Sequence, residues 1–259
     1  MTKPPVGSMI SVMPLKNLWV ILVAVALVCV TAVTRAENAA IPLASPNTTE
    51  IVRQMQQHNQ ARTDGLRQYK ALRHYQVQYK GLTTLDAKMD VEVSYDALSG
   101  KSFHIVSQSG SGFLCDKVLK RAVESEREAG HDKGATALTE ANYRFTLLGS
   151  EPVGGRPAYI LNVEPLTESK FLYRGKIWVD AADYAVVKID AEPAKNPSFW
   201  ISRTVIQFTS GRNQGFWLPA QNRSETKVRV GGTAVLTIDY GTYDIVPVVS
   251  SPLYGGTGF

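Results

Sequence analysis

A chain of 259 residues has room for one large β domain or two small ones. Its 28 Lys and Arg against 23 Asp and Glu leave a formal charge of +5, which falls to +2 once Lys3, Lys16 and Arg35 of an N-terminal leader are set aside. The remaining basic residues are scattered among Asp and Glu rather than gathered in a stripe, which excludes nucleic acid as the expected partner.

Lys3 and Lys16 precede an apolar run from Leu18 to Val33, which ends at Thr34-Arg35-Ala36 before the polar Glu37-Asn38. A basic start, an apolar middle and a small residue at the cut are the layout of a secretory signal, so residues 1–36 are expected to be cleaved and the mature chain to be periplasmic. The run falls short of the ~20 residues that a spanning helix needs, but a short helix can still span with local bilayer thinning. A retained single-pass N-terminal anchor is therefore the alternative. Cys29 lies in the leader behind Val28, too bulky for a lipoprotein-type cut, and Cys115 is then the only mature cysteine. No internal disulfide can form, so the fold must be held by its core.

Residues 37–48 read as a linker of Ala, Pro, Asn and Ser. Thr48 or Thr49 is expected to cap a first helix reaching about Tyr69, with Ile51, Val52, Met55, Ala61, Leu66 and Tyr69 as its apolar stripe. His58 falls at the edge of that stripe with no partner at metal-ligand spacing, so it reads as a core-edge residue, and neither a metal nor a cofactor is expected. Alternation predicts strands over 73–80, 87–95 and 101–108, with His74 and His104 on wet faces. Ser107 to Gly112 reads SQSGSG and lacks the spacing of a phosphate-binding loop, so it is taken as an ordinary helix entry. A second helix over 113–129 carries Leu114, Cys115, Val118, Leu119, Ala122 and Val123 on one face, which buries Cys115 and makes the helix a lid or plug for a curved sheet.

Strands over 143–148 and 158–164 flank a Pro-Gly turn and lead into the aromatic meander from Phe171 to Ala220, which holds three of the four tryptophans. Gly231-Gly232 then joins a polar strand, about 221–230, to one over 233–243, and 247–259 is expected to be a loose tail. The fold class is α+β and mainly β: a single curved antiparallel sheet of about ten or eleven strands, covered by two helices. In the meander, Tyr173, Ile177, Trp178, Phe199, Trp200, Phe208, Phe216 and Trp217 are the candidate lining of a ligand cavity. Alternation sends neighbours to opposite faces, so about half of them can point inward. The same rings would equally fill a solid core. There is no GxSxG, HExxH or CxxC, and no enzymatic activity is expected.

Gly175-Lys-Ile-Trp-Val-Asp180, the returning Ala185-Val-Val-Lys-Ile189 and the FWLPAQNRSE run from Phe216 resemble the periplasmic outer-membrane lipoprotein-sorting proteins of the LolA/LolB-like group. The resemblance spans about 49–246. It implies an unclosed half-barrel whose concave side, capped by helices, holds acyl chains, a lipid or a lipoprotein, and an exported carrier. An envelope-stress sensor or scaffold with an envelope protein partner is the alternative on the same fold, and a hydrolase the less favoured one. The anchoring cysteine of the group's membrane-bound receptor has no counterpart here, which favours a soluble carrier or sensor, and no residue is matched to the sorting chaperone's gating arginine.

Overall fold

The computed structural model describes residues 46–248 apart from 197 and 230; the expected leader, most of the linker and the tail beyond 248 lie outside the described residues. The chain opens on α1 (Thr48–Gly65), capped by Asn47, whose side chain accepts a hydrogen bond from the Glu50 amide at 2.9 Å. The cap is thus one residue before Thr48 and two before Thr49. The helix also stops at Gly65 instead of near Tyr69, because Leu66 turns to extended geometry and starts a strand. Leu66 and Tyr69 of the expected helical stripe are strand residues in the core.

That strand, β1 (Leu66–Lys80), is the spine of the sheet. It pairs along most of its length with β2 (Thr84–Asp96), which pairs in turn with β3 (Gly100–Gly110). Strand β3 thus runs two residues beyond its expected end, and Ser109 and Gly110 are strand rather than loop. A continuous helix α2 follows, through Gly112–Leu114, a π-helical stretch over Cys115–Leu119 and Lys120–His131, and then a short α3 (Lys133–Thr136). The third helix was not expected. The remaining strands are β4 (Tyr143–Val153), β5 (Arg156–Pro165), β6 (Tyr173–Asp180), β7 (Val186–Pro193), β8 (Ile201–Asn213), β9 (Phe216–Val228), β10 (Thr233–Asp239) and β11 (Tyr243–Pro247).

The eleven strands form one antiparallel sheet in the order β3-β2-β1-β10-β9-β8-β7-β6-β5-β4, with β11 beside the first half of β1. The single strand expected over 233–243 is broken at Gly241. Its φ of +60° and a virtual Cβ only 2.4 Å from the Leu72 carbonyl oxygen admit glycine alone, and the kink lets β10 and β11 cover successive halves of β1. Pro247 consequently ends a paired strand instead of starting a loose tail.

The sheet does not close: its edges are β3 and β4, and the segment connecting them carries α2 and α3. The helices α1 and α2 each face one end of the sheet. Ile51, Val52 and Met55 of α1 pack with Tyr143, Leu161, Val163, Ile177 and Val179, whereas Leu114, Cys115, Leu119 and Val123 of α2 pack with Tyr75, Met89, Val91 and Ile238. Cys115 is free and buried.

Candidate functional site

Residues directly opposite one another in antiparallel strands share a face. The register therefore defines a row across eight strands: Leu161, Ile177, Ile189, Phe208, Asn222, Ile238, Tyr75 and Met89. The two ends of this row are buried, Leu161 and Ile177 under α1 and Ile238, Tyr75 and Met89 under α2. Ile189, Phe208 and Asn222 in the middle are only half-buried. Two solid, helix-covered cores are thus separated by a stretch of the same face that no helix covers completely.

A cleft of about 840 Å³ opens there. Its floor is Tyr173, Val186, Ile189, Phe208, Trp217 and Pro219 from β6 to β9, with Ala185 at the entry to β7; one wall is the polar flank of α1 from Arg53 to Thr63, and the other is the turn from Thr136 to Thr139. The helix builds this wall because its apolar stripe is narrow: Ile51, Val52 and Met55 face the core and leave Gln56, His58, Asn59 and Arg62 on the flank beside it.

The side of the cleft near β6 and β9 is braced by ion pairs. Asp180, fully buried at the end of β6, accepts from Arg156 Nε at 2.6 Å and Nη2 at 2.9 Å, and from the Ala182 and Asp183 amides at 3.0 and 2.8 Å. Burial works to raise its pKa, but Arg156 and the two amides outweigh it and hold the carboxyl below its ordinary range. Asp183 accepts from Trp217 Nε1 at 2.9 Å and from Arg156 at 3.1 Å, which fixes the indole in a small cluster with Trp178, Ala185 and Val187.

Two cationic or titratable groups in the α1 wall are not so provided for. Arg62 makes one long hydrogen bond, 3.4 Å to the Trp217 carbonyl oxygen, and no carboxylate lies within ion-pair distance of it among the described residues. Burial lowers its pKa, and only the weak fields of Tyr69, Tyr95 and Tyr243 oppose the shift. His58 Nε2 is buried with no hydrogen-bond partner, and burial together with the Arg62 charge keeps the ring's pKa below the ordinary histidine value.

Of the eight candidates from sequence, Tyr173, Phe208 and Trp217 come together in the cleft. Ile177 lies wholly in the α1 core, next to the cleft but sealed from it. Trp178 points to the opposite face, where its Nε1 donates to Glu151 at 2.6 Å and Lys188 sits 4.0 Å above its ring. Phe199 and Trp200 are exposed between β7 and β8, edge to face at 5.6 Å, and Phe216 packs against the α2-side core with its ring beside Gly65. Ile189, His58 and Arg62 were not among the candidates. One signal for Arg62 was present: no Asp or Glu stands three or four residues from it on the helix.

Among the described residues no helix is long and apolar enough to cross a membrane, and no cluster of three or more His, Cys, Asp or Glu could hold a metal ion. No family model matches the chain, and no curated protein matches it. Among solved structures it is similar to a DUF1329 family protein from Desulfovibrio piger, at 13% identity over 80% of this chain and 96% of that one, with a TM-score of 0.41. It is also similar to a domain described as outer membrane lipoprotein-sorting from Vibrio parahaemolyticus, at 12% identity over 76% and 93% with a TM-score of 0.39. A LolA superfamily protein from Nitrosomonas europaea is similar at 9% identity over 79% and 96%, with a TM-score of 0.34.

Proposed function

We propose that the protein is an exported periplasmic carrier that binds a long acyl chain, of a lipoprotein or of another lipid, in the cleft between α1 and the middle of the sheet. The observation that carries this reading is the stretch of sheet left half-open between two helix-covered cores, where Ile189 and Phe208 offer apolar surface that a solid core would have filled. A cleft of about 840 Å³ lies within the ~300–1,000 Å³ usual for small-molecule sites. Burying a methylene contributes about 0.8 kcal/mol, so a chain of ~12 carbons yields roughly 10 kcal/mol against association costs of ~4–15 kcal/mol. Only long chains are retained on that arithmetic. Export rests on the layout of the leader, with a retained anchor as its alternative.

A second reading, a sensor or scaffold for an envelope protein, draws on the exposed Phe199–Trp200 pair, since aromatic rings left in water are common at partner surfaces. Delipidated protein titrated with a fluorescent fatty acid separates the two. The carrier reading expects saturable binding that Phe208→Asp abolishes while circular dichroism shows the sheet intact. A folded, lipid-free protein that binds no such probe overturns it and leaves the sensor or scaffold.

A further inference from the structure

We propose that the cleft selects an anionic amphiphile, with Arg62 holding its carboxylate or phosphate head group. This rests on the carrier reading and adds the chemical class of its ligand.

Arg73 and Arg156, the ones tied to the two buried-side ion pairs, meet Glu126 at 2.6 Å and Asp180 at 2.6 Å. Arg67, Arg121, Arg144 and Arg229 have no carboxylate partner, but all four are exposed to water, which solvates them. Among the described arginines Arg62 alone is half-buried and without a carboxylate. A guanidinium carries five N–H donors in a planar fork, and the single 3.4 Å bond to the Trp217 carbonyl leaves most of them unused. Withdrawing an ion from water without pairing it is costly, and that cost is offset when an anion arrives.

His58 lies one turn earlier on the same flank, where residues four apart on a helix are neighbours, and its Nε2 is buried with no hydrogen-bond partner. Asp183, the acidic group nearest this corner, is already occupied by Arg156 and by the Trp217 indole, so it does not supply the missing anion. The unused donors of Arg62 stand in the α1 wall, and the apolar floor of Ile189 and Phe208 lies opposite. One molecule with a charged head and a long tail matches both. A bidentate carboxylate or phosphate fits the guanidinium fork, whereas an ester or an alcohol offers no charge to it.

The test compares a fluorescent fatty acid with its methyl ester on the full-length protein. Hydrogen bonds to a charged group contribute about 1.5–3 kcal/mol, so wild-type protein is expected to bind the acid roughly 10- to 100-fold more tightly than the ester. Arg62→Gln should bring the acid down to the ester's affinity and leave the ester unchanged, and Arg62→Lys should keep part of the preference. Unchanged ester binding by Arg62→Gln also reports that the variant is folded. Displacement by a lysophosphatidic acid against a fatty acid of equal chain length distinguishes a phosphate head from a carboxylate. Equal binding of acid and ester by wild type, or a preference that survives Arg62→Gln, overturns the head-group assignment and leaves the carrier reading standing. Binding of neither probe overturns both.

Discussion

Removing the Glu126 carboxylate tests how α2 is held over the sheet. Arg73 projects from β1 into the core with no accessible surface; its Nη1 donates to Glu126 of α2 at 2.6 Å, and its guanidinium lies over the Tyr240 ring at 4.5 Å. Glu126 also takes Lys101 of β3 at 2.7 Å, but Lys101 is 39% exposed and contributes under about 1 kcal/mol. Breaking a buried pair by deleting one partner costs about 3–5 kcal/mol, because the remaining charge stays buried and unpaired. In a domain of this size each kcal/mol moves Tm by roughly 2–4 °C, so Glu126→Leu is expected to lower Tm by roughly 6–20 °C. The double variant Arg73→Met/Glu126→Leu removes both charges and should recover most of that loss. Differential scanning calorimetry of the four proteins gives the cycle. A single variant that loses less than about 1 kcal/mol, or a double variant no more stable than the single, refutes the reasoning. The pair also sets an acid limit. Burial acts to raise the Glu126 pKa, but the Lys101 and Arg73 charges outweigh it, so the folded pKa lies below the ordinary 4.5. The pair's contribution is therefore fully present above 4.5 and is lost as pH falls through the lower folded value, and Glu126→Gln should flatten that part of the acid denaturation curve.

Thiol labelling of Cys115 should require denaturant, because the residue is buried on the sheet-facing side of α2; rapid labelling of the folded protein would show that α2 lifts away. Gly175→Ala should cost at least about 2 kcal/mol by urea denaturation, since its φ is +148° and a Cβ would stand 2.5 Å from the Asp190 carbonyl oxygen on the neighbouring strand. Gly154→Ala is the control: its φ of +57° is also left-handed but nothing lies within 4 Å, so it should cost only about 1–2 kcal/mol, and equal losses at both sites would remove the role assigned to the close approach.

The strands and their antiparallel pairing through short turns were legible along the chain, because alternation and turn residues are local properties, whereas the unclosed half-barrel was implied only by the family resemblance. So was the burial of Cys115, which follows from the apolar face of its own helix. Strand alternation also puts Arg73 on the face of Tyr75 and Val77, but nothing nearby in sequence reveals that a glutamate 53 residues on covers it. The first helix was carried too far because Leu66 and Tyr69 continue its spacing; pairing with β2 and β11, strands distant in sequence, outweighed that local preference at Gly65. The site divides in the same way. Composition marked the aromatic meander, and alternation required its rings to part, yet only the packed molecule decided that Phe208, Tyr173 and Trp217 line a cleft while Ile177 is sealed and Phe199 and Trp200 are left in water. Alternation fixes the face of a side chain within its strand, but what covers that face depends on where α1 and α2 come to rest, and their positions are set by contacts between residues far apart in the chain.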